Sequence, residues 1–131
     1  MKVIKFLLIM LITLTFLSTC KEDITESPCG DGYPYKAKLA IKGICFNYVI
    51  ELVDGGPILD LVENEWTDEM SGRVYNNVFR LSNYCDFPSD IEEGEEFYFD
   101  IMNAPSDNLC MVCMAYRPTP KSAIDINVCK L

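Results

Sequence analysis

Six cysteines constrain the fold of this 131-residue chain more than any other feature of its sequence. They are Cys29, Cys45, Cys85, Cys110, Cys113 and Cys129. Six cysteines can pair in many ways, and the sequence does not choose among them. Each bridge adds about 2–4 kcal/mol, a large share of the roughly 5–15 kcal/mol by which a folded domain is stable. We therefore expect a disulfide-stapled domain, provided that the chain reaches an oxidising compartment.

The N-terminal residues predict that compartment. Met1–Lys5 contains two lysines, and Phe6–Leu17 is apolar apart from Thr13 and Thr15. A short basic head, a short apolar core and a boundary of small residues are typical of a secretory signal. The apolar run is shorter than the roughly 20 residues that a membrane-spanning helix needs. We therefore assign residues 1–19 to a signal peptide.

The end of this signal carries a specific motif. Leu17-Ser18-Thr19-Cys20 resembles the lipobox of bacterial lipoproteins, although Thr19 departs from the usual Gly, Ala or Ser before the cysteine. The resemblance implies that Cys20 becomes the first mature residue and carries a diacylglycerol and fatty acids such as palmitate. The alternative is an ordinary signal peptide whose Cys20 forms a disulfide.

The next three residues extend the resemblance. Lys21, Glu22 and Asp23 are similar to the export signal of surface lipoproteins of the Bacteroidota, a lysine followed by two acids. The resemblance implies a lipid-anchored protein of the outer membrane that is displayed outward, with a periplasm-facing orientation as the alternative. The resemblance covers residues 1–23 and indicates only where the protein is located in the cell. The body of the chain resembles no family that we recognise.

Composition narrows the possible partners. Residues 20–131 contain nine basic and 20 acidic residues, a net charge of −11. Nucleic acid is therefore not an expected partner, because phosphate binding needs clustered Lys and Arg. The lipid, not the acidic protein surface, is expected to hold the chain at the membrane. Histidine is absent, which excludes Ser-His-Asp and Cys-His catalysis and lowers the expectation of an enzyme.

Short runs of β-branched, aromatic and alternating residues predict an all-β fold. Residues 20–36 are expected to form a lipidated tether, and residues 37–131 a single β-domain. Six strand-length runs are predicted: Ala37–Val53, bent at Gly43, then Ile58–Val62, Val74–Leu81, Glu95–Met102, Leu109–Tyr116 and Ala123–Leu131. The pattern is similar to a small closed or partly open barrel of the oligosaccharide/oligonucleotide-binding type. A two-sheet sandwich is the alternative.

Two connections have local signals. Asp54-Gly55-Gly56-Pro57 predicts a tight turn that joins the first run to Ile58–Val62 as a hairpin. Residues 63–73 are the most polar part of the body, and Thr67 is expected to cap a short helical turn there.

Cysteine chemistry is the first candidate activity. Cys110 and Cys113 have the CxxC spacing of a redox pair, which usually lies at the start of a helix. Here the spacing falls in an apolar run that resembles a strand, so we expect the two cysteines to join different disulfides. Thiol-disulfide exchange through this pair is the alternative.

Other candidate sites are weaker. The acids around Gly94 are interpreted as a solvated turn instead of a calcium site, and no metal or cofactor is predicted. Trp66, Tyr116 and Arg117 could line a ligand-stacking surface, although Trp66 could instead plug one end of the barrel. The sequence thus predicts a non-enzymatic, lipid-anchored binding or structural module whose partner is an envelope protein or a glycan.

Overall fold

The computed structural model describes residues 28–54 and 56–129, and the predicted signal peptide, lipobox and export signal lie outside them. The all-β prediction is confirmed in the described part. Its strands are β1 (Tyr35–Lys42), β2 (Tyr48–Asp54), β3 (Glu63–Thr67), β4 (Val74–Leu81), β5 (Glu96–Ile101), β6 (Ala123–Ile124) and β7 (Ile126–Val128). Two short 3₁₀ helices, Ile44–Phe46 and Gly56–Leu61, lie in the connections on either side of β2.

The strands form one sheet in the order β3-β4-β2-β1-β5-β7. Neighbours along this path are antiparallel, while β6 pairs in parallel with β4. The path ends at β3 and β7, and the described sheet is not closed, so the predicted closed barrel is not supported. A sandwich-like arrangement, the predicted alternative, is compatible with this strand order.

Alternation along the strands divides the apolar side chains between two faces. The larger core includes Leu39, Ile50, Leu52, Phe79, Leu81, Phe97, Phe99, Ile124, Ile126 and Val128. Aromatic rings meet at its centre, where the centroids of Phe79 and Phe99 are 6.0 Å apart. A smaller cluster of Ala40, Ile41, Val49 and Val78 also includes Trp66 and Tyr75. The sheet is therefore covered on both faces where β1, β2 and β4 run side by side.

The predicted strand Ile58–Val62 is wrong. Gly56–Leu61 is a 3₁₀ helix, and the buried residues of this stretch are Ile58 and Val62. A strand would place Asp60 on the same face as Ile58 and Val62, but Asp60 is exposed. Pro57 favours the helical start, because its fixed φ suits a first turn and its missing N–H is not needed there.

The polar stretch that follows is a strand. Glu63–Thr67 pairs antiparallel with β4, so Thr67 ends β3 and does not cap a helical turn. The cap of the following turn is Asp68, which accepts hydrogen bonds from the backbone N–H of Met70 (3.2 Å) and the hydroxyl of Ser71 (2.7 Å). A polar edge strand of this kind is supported by its partner strand, which local sequence does not reveal.

Three disulfides staple the sheet, as predicted. They join Cys29 to Cys129, Cys45 to Cys113 and Cys85 to Cys110. The first fastens the segment before β1 to the residue after β7, and β1 itself begins at Tyr35, inside the segment predicted as a tether. The other two disulfides hold a single segment, described next.

Candidate functional site

The stretch Leu109–Tyr116 was predicted to be a strand, and that prediction is wrong. It belongs to no ladder of the described sheet, and from Met111 to Pro120 the chain contains no helix, turn or bend. This part of the chain is therefore irregular and has no strand partner. We call residues 109–117 the anchored segment.

Two disulfides fix the middle of the anchored segment. Cys110 is bonded to Cys85, in the loop after β4, with Cα atoms 5.5 Å apart. Cys113 is bonded to Cys45, in the 3₁₀ helix between β1 and β2, with Cα atoms 5.0 Å apart. The two cysteines of the CxxC spacing thus join different disulfides and attach the segment to two separate connections of the sheet.

Hydrogen bonds add to these covalent attachments. The N–H of Cys110 donates to Cys85 Sγ at 3.2 Å. The N–H of Ala115 donates to Cys45 Sγ at 3.4 Å, and its carbonyl accepts from Asn47 Nδ2 at 3.3 Å. The main chain is therefore held in place on both sides of Met114.

A buried ion pair holds the end of the segment. Nη2 of Arg117 lies 3.3 Å from Oδ2 of Asp68, whose side chain is only 1% exposed. Burial of the carboxylate acts to raise the pKa of Asp68, but hydrogen bonds from Ser71 and Met70 and the charge of Arg117 outweigh it, so the pKa is lowered. Asp68 is consequently ionised at neutral pH and ties the segment to the β3–β4 turn.

Four apolar or aromatic side chains of the anchored segment point into solvent. Met114 is 98% exposed, Met111 95%, Leu109 90% and Tyr116 82%. Exposed apolar side chains that are contiguous, and not scattered singly, mark interaction sites. Methionine adapts its shape to different partners because it is unbranched and polarizable.

A cavity of about 520 Å³ lies beside the anchored segment. One wall is the stack of Phe46 on Tyr84, whose ring centroids are 5.7 Å apart. The lining residues come from the segment, from the end of β4 and from the β1–β2 connection: Cys45, Phe46, Asn47, Arg80, Leu81, Ser82, Tyr84, Asn108, Val112, Cys113, Met114, Ala115 and Tyr116. The cavity can receive an apolar or aromatic group, with Arg80 supplying a positive charge at its edge.

The β1–β2 connection that supports this wall is strained. Cys45 and Phe46 have φ values of 57° and 60°, a left-handed conformation that costs non-glycine residues roughly 1–3 kcal/mol each. The Cys45–Cys113 disulfide holds it, as does Asn47, which donates to the carbonyl of Ile44 from both its N–H and its side chain. A Cβ at Gly43 would collide with the Asn47 carbonyl and lie 2.7 Å from Arg117 Cδ, so glycine permits this close approach.

The structure brings together some of the residues predicted for a ligand surface. Tyr116 lines the cavity and Arg117 anchors the segment, whereas Trp66 packs on Tyr75 at 5.9 Å in the smaller cluster. Sequence reasoning missed Met111 and Met114. The available signal was their position beside the cysteines of the CxxC motif, where disulfides prevent the chain from turning inward.

Residues 28–54 and 56–129 contain no group of three or more His, Cys, Asp and Glu placed to hold a metal ion. No helix in the same ranges is long and apolar enough to cross a membrane. Comparison with protein-family models, curated proteins and solved structures finds no match to this chain.

Proposed function

We propose that this chain is a non-enzymatic, lipid-anchored module at the outer face of the outer membrane, and that the anchored segment is its binding surface for a protein partner. One observation carries the proposal: exposed apolar side chains stand on a main chain that is fixed by two disulfides. Fixing a binding segment before it meets its partner removes the entropy cost of ordering it.

The backbone of the segment favours a protein partner over lipid or glycan. In the described part of the chain, the N–H and C=O groups of Met111, Val112 and Met114 have no hydrogen-bond partner. Each such group would cost several kcal/mol in hydrocarbon, while an extended protein chain can pair with them. Met and Leu side chains also offer no hydrogen bonds to a sugar.

We also propose that the sheet curves into a partly open barrel of the oligosaccharide/oligonucleotide-binding type. Support comes from β6 and β7, which are separated by Asp125 alone and pair with β4 and β5 respectively. The buried side chain of Asn83 bonds both the N–H (2.9 Å) and the carbonyl (2.7 Å) of Ile126 at this point. The register between β1 and β2 also shifts between Leu39 and Ile41, and a shift of the β-bulge kind bends a strand.

The binding surface can be tested by cross-linking the chain to its partner in cells. In cells that express the chain, a variant with Met111→Asp and Met114→Asp should lose at least tenfold of the partner cross-linked by the wild type, because a charge in an apolar contact is costly. The matched control is Val53→Asp with Leu59→Asp, two apolar residues that are exposed elsewhere. Equal loss in both variants would contradict the proposal.

The lipid anchor is tested separately. Cys20→Ala should abolish incorporation of labelled fatty acid and release the chain from the membrane fraction, because the acyl chains provide the attachment. Continued labelling would show that the lipobox interpretation is wrong.

Replacing Lys21, Glu22 and Asp23 by Ala should keep the label and reduce protease accessibility on whole cells, whereas unchanged accessibility would contradict outward export.

Thiol-disulfide exchange through Cys110 and Cys113 stays the alternative function. In the structure each of these cysteines is bonded to a partner outside the CxxC spacing. Exchange at either one would therefore release one attachment of the segment, and the shape of the binding surface would change with it.

A further inference from the structure

Cys45 contacts the residues on both sides of Met114 and holds them in place. Its sulfur is bonded to Cys113, the residue before Met114, and accepts the N–H of Ala115, the residue after it. Asn47 holds the carbonyl of Ala115. The peptide bond between Met114 and Ala115 thus lies between two fixed points, while the Met114 side chain is 98% exposed.

This arrangement has the features that a serine protease requires of the chain it binds. Such a protease takes an extended segment, pairs with its free backbone groups as an added strand and inserts one side chain into a specificity pocket. The anchored segment contains no helix or turn, and among the described residues its Met111, Val112 and Met114 backbone groups have no partner. Residues 109–116 carry no charge, so they suit an apolar pocket and not an acidic one.

We infer that the anchored segment is a protease-inhibitory loop, with Met114 in the specificity pocket of a serine protease that prefers large apolar side chains. The inference rests on the proposed function, since it names the class of partner for the same segment. Its geometric basis is the fixed position of the exposed Met114–Ala115 bond in a segment that pairs with no strand.

Rigidity makes the segment an inhibitor and not an ordinary substrate. Attack by the protease serine on the Met114 carbonyl breaks the Met114–Ala115 bond, forms an ester on Met114 and leaves a free amine on Ala115, which takes the serine proton through the protease histidine. In a flexible chain this amine diffuses away and water hydrolyses the ester.

Here the new amine stays in place. Ala115 remains held by Asn47, and Cys113 remains bonded to Cys45, so both new chain ends are attached to the same connection. An amine held next to an ester reacts as if it were at very high concentration. It therefore re-forms the peptide bond and returns the proton to serine faster than water can enter, and the protease stays occupied.

The test is inhibition of three proteases by the purified full-length chain in detergent. Chymotrypsin has a deep apolar pocket, elastase a small one and trypsin an acidic one. We expect the wild type to inhibit chymotrypsin at least 100-fold more strongly than trypsin. Met114→Lys should reverse this preference, because a lysine pairs with the acidic pocket of trypsin.

The matched control is Met111→Lys, which makes the same substitution at an equally exposed methionine. It should weaken inhibition of both proteases alike, because Met111 belongs to the same binding surface, and leave the ratio of chymotrypsin to trypsin inhibition within about threefold of the wild-type value. Both side chains are in solvent, so both variants should have the wild-type urea midpoint, and a change in preference will not reflect misfolding.

Two outcomes would overturn the inference. One is a wild-type chain that inhibits none of the three proteases together with a Met114→Lys variant that does not inhibit trypsin. The other is steady hydrolysis of the Met114–Ala115 bond, which would make the segment a substrate. If either occurs while the cross-linked partner is still lost from the Met111→Asp, Met114→Asp variant, the binding function stands and only the protease assignment fails.

Discussion

In a variant carrying Cys29→Ser and Cys129→Ser, the free energy of unfolding should fall by about 4–5 kcal/mol. This disulfide closes a loop across a sequence separation of 100 residues, and long loops restrict the unfolded chain most in the chain-entropy account. Since small domains are stable by about 5–15 kcal/mol, the variant should be close to unfolding at 37 °C. Urea denaturation with linear extrapolation measures the difference.

The matched control is the variant with Cys85→Ser and Cys110→Ser, which opens a loop of sequence separation 25. The same account gives about 3.5 kcal/mol for that loop. A loss in the Cys29–Cys129 variant that is no larger than in the control would contradict the expectation. The two variants also differ in function, because only the control removes an attachment of the anchored segment.

The sequence predicted the strands whose alternation is clear. Phe97 and Phe99 are two residues apart in β5, as are Ile124, Ile126 and Val128 at the C-terminal end, and all five are buried. A period of two indicates a strand with one buried face, whichever strand it pairs with. Gly43 was correctly expected to interrupt the first run, which divides there into β1 and β2.

Two apolar runs of strand length misled the prediction. Ile58–Val62 contributes to the 3₁₀ helix Gly56–Leu61, and Leu109–Tyr116 forms no strand and has no ladder partner. An apolar run becomes a strand only where a neighbour offers its backbone groups, and that neighbour is set by the whole topology. The polar strand β3 is the opposite case. The composition of β3 does not indicate a strand, but β3 forms one because it pairs with β4.

The candidate site was predictable in its cysteines and not in its surface. The separate pairing of Cys110 and Cys113 followed from their spacing in an extended run, since residues three apart point to opposite faces. The exposure of Met111 and Met114 did not follow, because methionines in an apolar run are usually buried. The disulfides hold this part of the chain at the surface, so the two methionines are exposed. A local pattern of hydrophobicity does not indicate this effect.

Asp68→Ala should lower the free energy of unfolding at pH 7 by about 3 kcal/mol, the lower end of the range for breaking a buried ion pair. The lower end applies because the Arg117 side chain keeps 22% of its exposure. The variant also loses the acceptor for Ser71 and Met70. The matched control is Glu96→Ala, which removes the exposed pair with Lys36 at 2.5 Å and should cost less than about 1 kcal/mol.

Acid should reduce the difference in stability between the wild type and Asp68→Ala. Because the pKa of Asp68 is lower in the folded chain than its usual value, the unfolded chain binds the proton more tightly. The contribution of the carboxylate is therefore complete above the unfolded-state pKa of about 3.9 and is lost as pH falls through the lower, folded-state pKa. Urea midpoints measured from pH 7 down to pH 2 should converge below about pH 4. A constant gap over that range would mean that Asp68 acts through packing alone, and the ion pair with Arg117 would not be what anchors the end of the segment.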